Sequence, residues 1–247
     1  MDFDNVGFLV GRSGAHVSKI LVSLDITNDV ITEAMACGAE LIVSHHPLFF
    51  SLSSVTDDDI TGGKIVRLLS GGISAICMHT NLDAARGGTG DALASAAGIA
   101  GENGLADLLS EDGRLHDGSA YSLGRTGCLS RPCPLDEYLG MLKKTLNTAG
   151  LRYYDAGRDV YRVAVVGGSG GSMLHQAVKC GCDTFLTADI KYDVFLEAKE
   201  IGINLIDGDH FCTENLVAGV IADKLRAAFP EAEVMASKRH GQTARFF

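Results

Sequence analysis

The chain has 247 residues and a mass of 26.0 kDa, with 46% hydrophobic and 21% charged residues, room for one large or two small domains around a buried core. A formal net charge of −10 opposes non-specific nucleic-acid binding, which rests on Lys and Arg neutralising phosphates. No apolar run reaches the roughly 20 residues that span a bilayer, and no basic-then-apolar leader opens the sequence, so a cytoplasmic protein with no membrane partner is expected.

Seven cysteines, an odd number scattered through apolar stretches, suit buried thiols in a reducing compartment better than a disulfide framework. From residue 20 the chain reads as an apolar run, a turn, a helix-period segment closed by Cys37-Gly38, and a second apolar run, Leu41-Ile42-Val43. "SHHPLFF" (44–50) follows that run. Next comes a helix stopped by Gly71-Gly72 and a strand over Ile73–Met78. The middle, residues 100–160, carries a strand signal, "YSLGRTGCL" (121–129), and a helix after Pro134, and is read as adding strands to the C-terminal part of the fold.

From Val163 the first pattern returns. Sliding the sequence by 143 positions lays Ile20 on Val163, Ala34 on Ala177, Cys37 on Cys180, Gly38 on Gly181 and Glu40 on Asp183. Each copy is a βαβ unit of a parallel sheet. A helix ending at Gly202, a strand over Ile203–Ile206 and a last helical segment, "NLVAGVIADKL", complete the second copy. The fold class expected is α/β: two similar α/β lobes from an internal duplication, over 1–115 and 116–247. The C-terminal helix should pack back on the first lobe. Lys238-Arg239-His240 reads as a solvated tail.

Functional groups of open α/β sheets gather at the carboxyl ends of the strands. That rule delivers His45 and His46 from one strand and His79, Asn81 and Asp83 from the next. In the second copy it delivers Asp189, then Asp207, Asp209 and His210. His210 and Glu214, four apart, share a helix face. Each alone has a bland reading: a histidine as strand cap, Asp83 as helix cap. Together they form a His/carboxylate set suited to zinc, iron, manganese or cobalt. Five ligands exceed what one catalytic zinc takes, and shared carboxylates allow a two-metal site. Cys212 points off that helix face. The glycine-rich "VVGGSGGS" (165–172) reads either as a phosphate-holding loop or as a tight turn.

Five stretches carry a family resemblance: "DNVGFLVG" (4–11), "SHHPLFF" (44–50), "HTNLDAARGG" (79–88), "TADIKYD" (187–193) and "DGDHFCTE" (207–214). In order and spacing the chain resembles the dinuclear-metal-centre family of GTP cyclohydrolase 1 type 2 homologues, also called Nif-three-like. The resemblance implies two divalent metal ions per subunit, zinc, iron or manganese, in a cleft between two α/β lobes. It puts the metal ligands on His45, His46, Asp83, His210 and Glu214. His79 and Asp189 are then the candidate catalytic, proton-transferring residues. It also implies a homo-oligomer, a hexamer built as a trimer of dimers, and a metal-dependent hydrolase acting on a small nucleotide or phosphate-containing substrate. The alternative is a non-catalytic metal-loaded ring, an interaction or regulatory protein or a metal chaperone. The chain departs from the family pattern at Phe3, where a Trp and an upstream helix are usual. It departs again at Asp209, where Gly is usual, and at Asp193, where a His is common.

Overall fold

A computed structural model describes residues 4–99, 104–114 and 120–247; Phe3 and the boundary expected at 115–116 lie outside the described residues. The chain runs through β1 (Gly7–Val10), β2 (Lys19–Ser23), α1 (Asn28–Cys37), β3 (Leu41–Ser44), α2 (Ile60–Ser70), β4 (Ser74–Cys77) and α3 (Thr80–Ala84). It continues through α4 (Thr89–Ala96), β5 (Ala106–Arg114), β6 (Ala120–Cys133), α5 (Leu135–Thr145), β7 (Arg152–Tyr154) and β8 (Val160–Val166). A 3₁₀ turn (Gly171–Met173) leads into α6 (Leu174–Lys179), β9 (Thr184–Thr187), α7 (Tyr192–Ile201) and β10 (Asn204–Asp207). The last elements are α8 (His210–Glu214), α9 (Leu216–Ala228) and β11 (Glu233–Ala236).

These elements divide into two units, residues 1–82 with 217–241, and 83–216 with 242–247. The first holds a five-stranded sheet in the order β1-β4-β3-β2-β11, parallel except for β1. Most of α9 and all of β11 belong to this unit because β11 pairs with β2 along Lys19–Val22. The second holds a six-stranded sheet in the order β5-β6-β8-β9-β10-β7, whose β8, β9 and β10 are parallel. The middle of the chain supplies its antiparallel strands β5, β6 and β7.

The apolar runs are continuous because both faces of these strands are covered. In the second unit Val163, Val165, Leu186 and Ile206 pack with Leu93, Tyr138 and Leu142 of α4 and α5. Their neighbours Ala164, Phe185 and Leu205 face Leu174, Ala177 and Ala198 of α6 and α7. In the first unit Leu21, Ile42 and Ala75 pack with Val30, Ile31 and Ala34 of α1 and Ile65 and Leu68 of α2.

The two parallel cores share two local features. Gly38 and Gly181 both turn the chain at a φ of 72°, a left-handed conformation that costs glycine little. Glu40 accepts from the amides of Ser18 and Lys19 at the start of β2 (2.6 and 3.3 Å). Asp183 does the same for Tyr161 and Arg162 at β8 (3.1 and 2.7 Å). In each unit, then, the acidic residue after the glycine turn stitches the neighbouring strand.

One polar feature sits inside the second unit. Arg125 on β6 is 0% exposed, paired with Asp91 and, at 3.4 Å, with Asp107. Its guanidinium also donates to the carbonyls of Gly124 (2.9 Å) and Ala85 (3.0 Å). It therefore anchors the loop 85–88 and the first turn of α4. Removing one partner of a buried ion pair strands the other. Arg125→Ala is expected to destabilise the protein by about 3 kcal/mol in chemical denaturation; a change within about 0.5 kcal/mol would show that the pair carries no such load.

Candidate metal centre

In the first unit β3 ends at Ser44, and the next two residues are His45, fully buried, and His46, half-buried. Their backbone amides donate to Leu24 O (3.1 and 2.9 Å), which continues the β2–β3 ladder and fixes both residues. His79 follows β4 in the adjacent position. The three rings cluster, with centroids 5.2, 5.3 and 5.6 Å apart. They offer one ligating nitrogen each, all within 4.8 Å of one another.

Each ring is oriented from behind. His45 Nδ1 donates to Met78 O (2.8 Å), His46 Nδ1 to Asp25 Oδ1 (2.7 Å) and His79 Nδ1 to Asp4 Oδ1 (2.8 Å). A carbonyl or ionised carboxylate can only accept, so Nδ1 carries the proton and Nε2 the lone pair of a neutral ring. Burial alone would raise both acids. Hydrogen bonds from Thr80 and His79 hold Asp4 below the usual carboxylate range, and those from His240 and His46 hold Asp25 well below it.

The second unit carries the remaining donors. His210 opens α8, with Asp209 as its cap: Asp209 Oδ1 accepts from Cys212 N at 3.1 Å. His210 Nδ1 donates to Asp189 Oδ2 (2.6 Å), and its Nε2 lies 3.0 Å from Glu214 Oε2, one turn on. Glu214 is buried. Hydrogen bonding to Glu214, then to Asp189, pushes the His210 pKa up to about 9.

The glycine-rich loop explains itself here. A Cβ on Gly168, whose φ is 59°, would overlap the Glu214 carboxylate, and one on Gly167 would come within 3.1 Å of Glu214 Cγ. Gly168 N donates to Thr213 Oγ1 (3.2 Å) and Gly170 N to Thr187 Oγ1 (2.9 Å), so these amides tie the loop to α8 and β9. Packing against the acid accounts for Gly167 and Gly168, and close approach of Thr187 and Val166 for Gly170, which favours the tight-turn reading.

The expected residues thus form two trios, His45, His46 and His79 in one unit and Asp189, His210 and Glu214 in the other. Asp83 lies half-buried on α3, inside the helix rather than capping α4, whose cap is Gly88. Asp189 is engaged with His210, a positioning contact. Asp193 is exposed in the first turn of α7. Cys212 is buried away from the donors, and burial pushes its thiol up to about 11, so it stays protonated. In the first unit three imidazoles with Nδ1 committed, and in the second an imidazole beside a buried carboxylate, are donor groups of the kind that suit a divalent cation. Asp4, Asp25 and His240 were not singled out from the sequence. Asp25 follows the first apolar run and was legible by the strand-end rule; the other two were not.

A family model, Duf34/NIF3 (NGG1p interacting factor 3), matches residues 1–242. The chain belongs to this family. Its Duf34/NIF3 relatives include a "GTP cyclohydrolase 1 type 2 homolog" of Clostridium perfringens, 35% identical over 226 residues, covering 91% of this chain and 84% of that one. One of the same description from Clostridium acetobutylicum is 33% identical, covering 92% and 83%. A solved Staphylococcus aureus hypothetical protein superposes with a TM-score of 0.86 at 26% identity, over 100% of this chain and 93% of that one. A Bacillus cereus protein related to NIF3, 22% identical with a TM-score of 0.90, covers 100% and 94% and shares the fold.

In the metal-free protein, NMR titration should find His210 protonated well above its ordinary 6.5, up to about 9, and Glu214→Gln should bring it down. Titration at the ordinary value in the unaltered protein would contradict the His210–Glu214 geometry.

Proposed function

We propose that this Duf34/NIF3 protein is a metal-dependent hydrolase whose centre holds two divalent ions, zinc, iron or manganese, and whose substrate is a nucleotide or another small phosphate-containing molecule. The observation that carries the reading is the common arrangement of His45, His46, His79 and His210, each with Nδ1 spent on an acceptor. His45, His46, Asp83, His210 and Glu214 would be the ligands, with both units contributing to one centre in the cleft between two duplicated lobes. The shared glycine turns and strand stitches support the duplication.

Bound divalent ions supply Lewis acidity, which makes water a nucleophile near neutral pH and stabilises developing negative charge. His79 holds a proton on Nδ1 against Asp4 and accepts one at Nε2, which suits proton transfer to or from the reacting groups. Asp189 fixes the ring of His210, and of the two candidate catalytic residues it is the one better suited to positioning. That commitment, together with Asp193, favours as second reading a metal-loaded protein that does not turn over substrate. Assembly as a hexamer and residence in a reducing cytoplasm belong to the proposal. Consistent with it, none of the seven cysteines forms a disulfide, and among the described residues no helix is long and apolar enough to cross a membrane.

Fully loaded protein should contain two ions per chain by metal analysis. Binding to the folded state alone stabilises it by about 2.7 kcal/mol at one hundred times the dissociation constant, so chelation should lower the melting temperature. His46→Ala and Glu214→Ala should each remove most of that increment, and the double variant little more, since the two serve one centre. Turnover of GTP or another member of a nucleotide and phosphoester panel, lost in Asp83→Ala, would establish the hydrolase; two ions without turnover would favour the second reading. One ion per chain would overturn the two-ion reading, and losses that add as at independent sites would overturn the shared centre.

A further inference from the structure

The segment after β11 is anchored. Glu33 on α1 accepts from Ser237 Oγ and from the amides of Lys238 (2.9 Å) and Arg239 (3.2 Å), and His240 N donates to Ser237 Oγ (3.1 Å). This turn presses the His240 ring, 7% exposed, against the end of β2. There His240 Nε2 lies 2.9 Å from Asp25 Oδ2. The same nitrogen is 3.2 Å from the Asp25 amide, but the charged carboxylate is the stronger partner and sets the proton on Nε2. Asp25 is therefore gripped on both oxygens, Oδ1 by His46 and Oδ2 by His240. Two residues further on, in the second unit, Gln242 Nε2 donates to Asp209 Oδ1, the oxygen that caps α8.

We propose that residues 237–242 form a positioning strap for the metal-binding histidines, His240 acting through Asp25 on His46 and Gln242 acting through Asp209 on the helix that begins with His210. The inference rests on the metal reading above. The physical need is clear on both arms. Asp25 is partly exposed, so without His240 water competes for its carboxylate, which can then rotate away from His46. Asp209 has a φ of 72° and ψ of 135°, a conformation few residues other than glycine adopt, and its side-chain bonds must hold it there. His240 reaches His46 through Asp25, and Gln242 reaches α8 through Asp209, so both act by orientation.

The test uses the full-length protein and zinc or cobalt(II) as the probe. Orienting partners of metal-binding histidines are typically worth about 10–100-fold in affinity. His240→Ala should weaken binding about tenfold and change the cobalt(II) absorption spectrum. His240→Gln, whose amide reaches Asp25 as a donor, should restore both. Gln242→Ala should weaken binding as well, and Lys238→Ala, on the exposed side of the same segment, should change nothing. In metal-free protein, long-range ¹H–¹⁵N spectra should show His46 losing its single Nδ1–H tautomer in His240→Ala and regaining it in His240→Gln. If His240→Ala does not fold, His240→Asn, polar but too short to reach Asp25, takes its place.

Unaltered affinity and tautomer in His240→Ala, or equal loss in His240→Ala and His240→Gln, would overturn the His240 arm. Unaltered affinity in Gln242→Ala would remove the other. Unaltered protein that binds no ion would sink the metal reading instead, and the tautomer spectra would still decide the strap.

Discussion

An imidazole can give a metal only the lone pair that its other nitrogen leaves available, so what stands behind each ring decides whether a histidine cluster is a binding site. In this protein a carbonyl or a carboxylate stands behind four rings, and each takes the Nδ1 proton. The rest of the architecture serves those acceptors. The β2–β3 ladder brings Asp25 beside His46, and the neighbouring pair β3–β4 brings Met78 O to His45. β1, the antiparallel edge strand, carries Asp4 to His79.

The backbone is bent to the same end. Asp189 and Asp209 both have positive φ, 52° and 72°, which aspartate tolerates better than most side chains because it bonds locally. Asp189 spends its carboxylate on His210, and Asp209 spends its own on the amide of Cys212 and on Gln242. Such conformations cost on the order of 1–3 kcal/mol each where they are strained, and they persist only where their surroundings fix them. Asp209, in a position where the family resemblance leads one to expect glycine, is thus no loss of the turn: its side chain supplies the cap that holds it. Gly168 works in the opposite sense, its missing side chain making room for Glu214.

Much of this was legible. Apolar runs with glycine stops gave the parallel cores of both sheets, and the strand-end rule gave His45, His46, His79, Asp189 and His210. The 143-residue offset even lays Asp189 on His46, two strand-end positions now holding a ring and a ring's acceptor. Beyond its reach was whatever depends on distant pairing. Asp4 meets His79 across 75 residues and His240 meets Asp25 across 215, each beside an edge strand, β1 or β11, whose half-exposed residues form no continuous buried run. Arg125 escaped for a related reason, since a buried arginine declares itself only when its carboxylates close around it. The loop at Gly167 and Gly168 was ambiguous because glycine makes way equally for a phosphate and for a buried acid.

Ions held by these rings would lie on their Nε2 side. Anomalous diffraction from metal-loaded crystals, collected across the metal's absorption edge, would locate them. Two peaks per chain are expected, lying about 2.0–2.1 Å from imidazole Nε2 atoms if the metal is zinc, with His45, His46 and His210 among the ligands and Nδ1 still on its acceptors. Peaks on the Nδ1 side, peaks remote from these rings, or a fully loaded protein with no peak near them would contradict this placement.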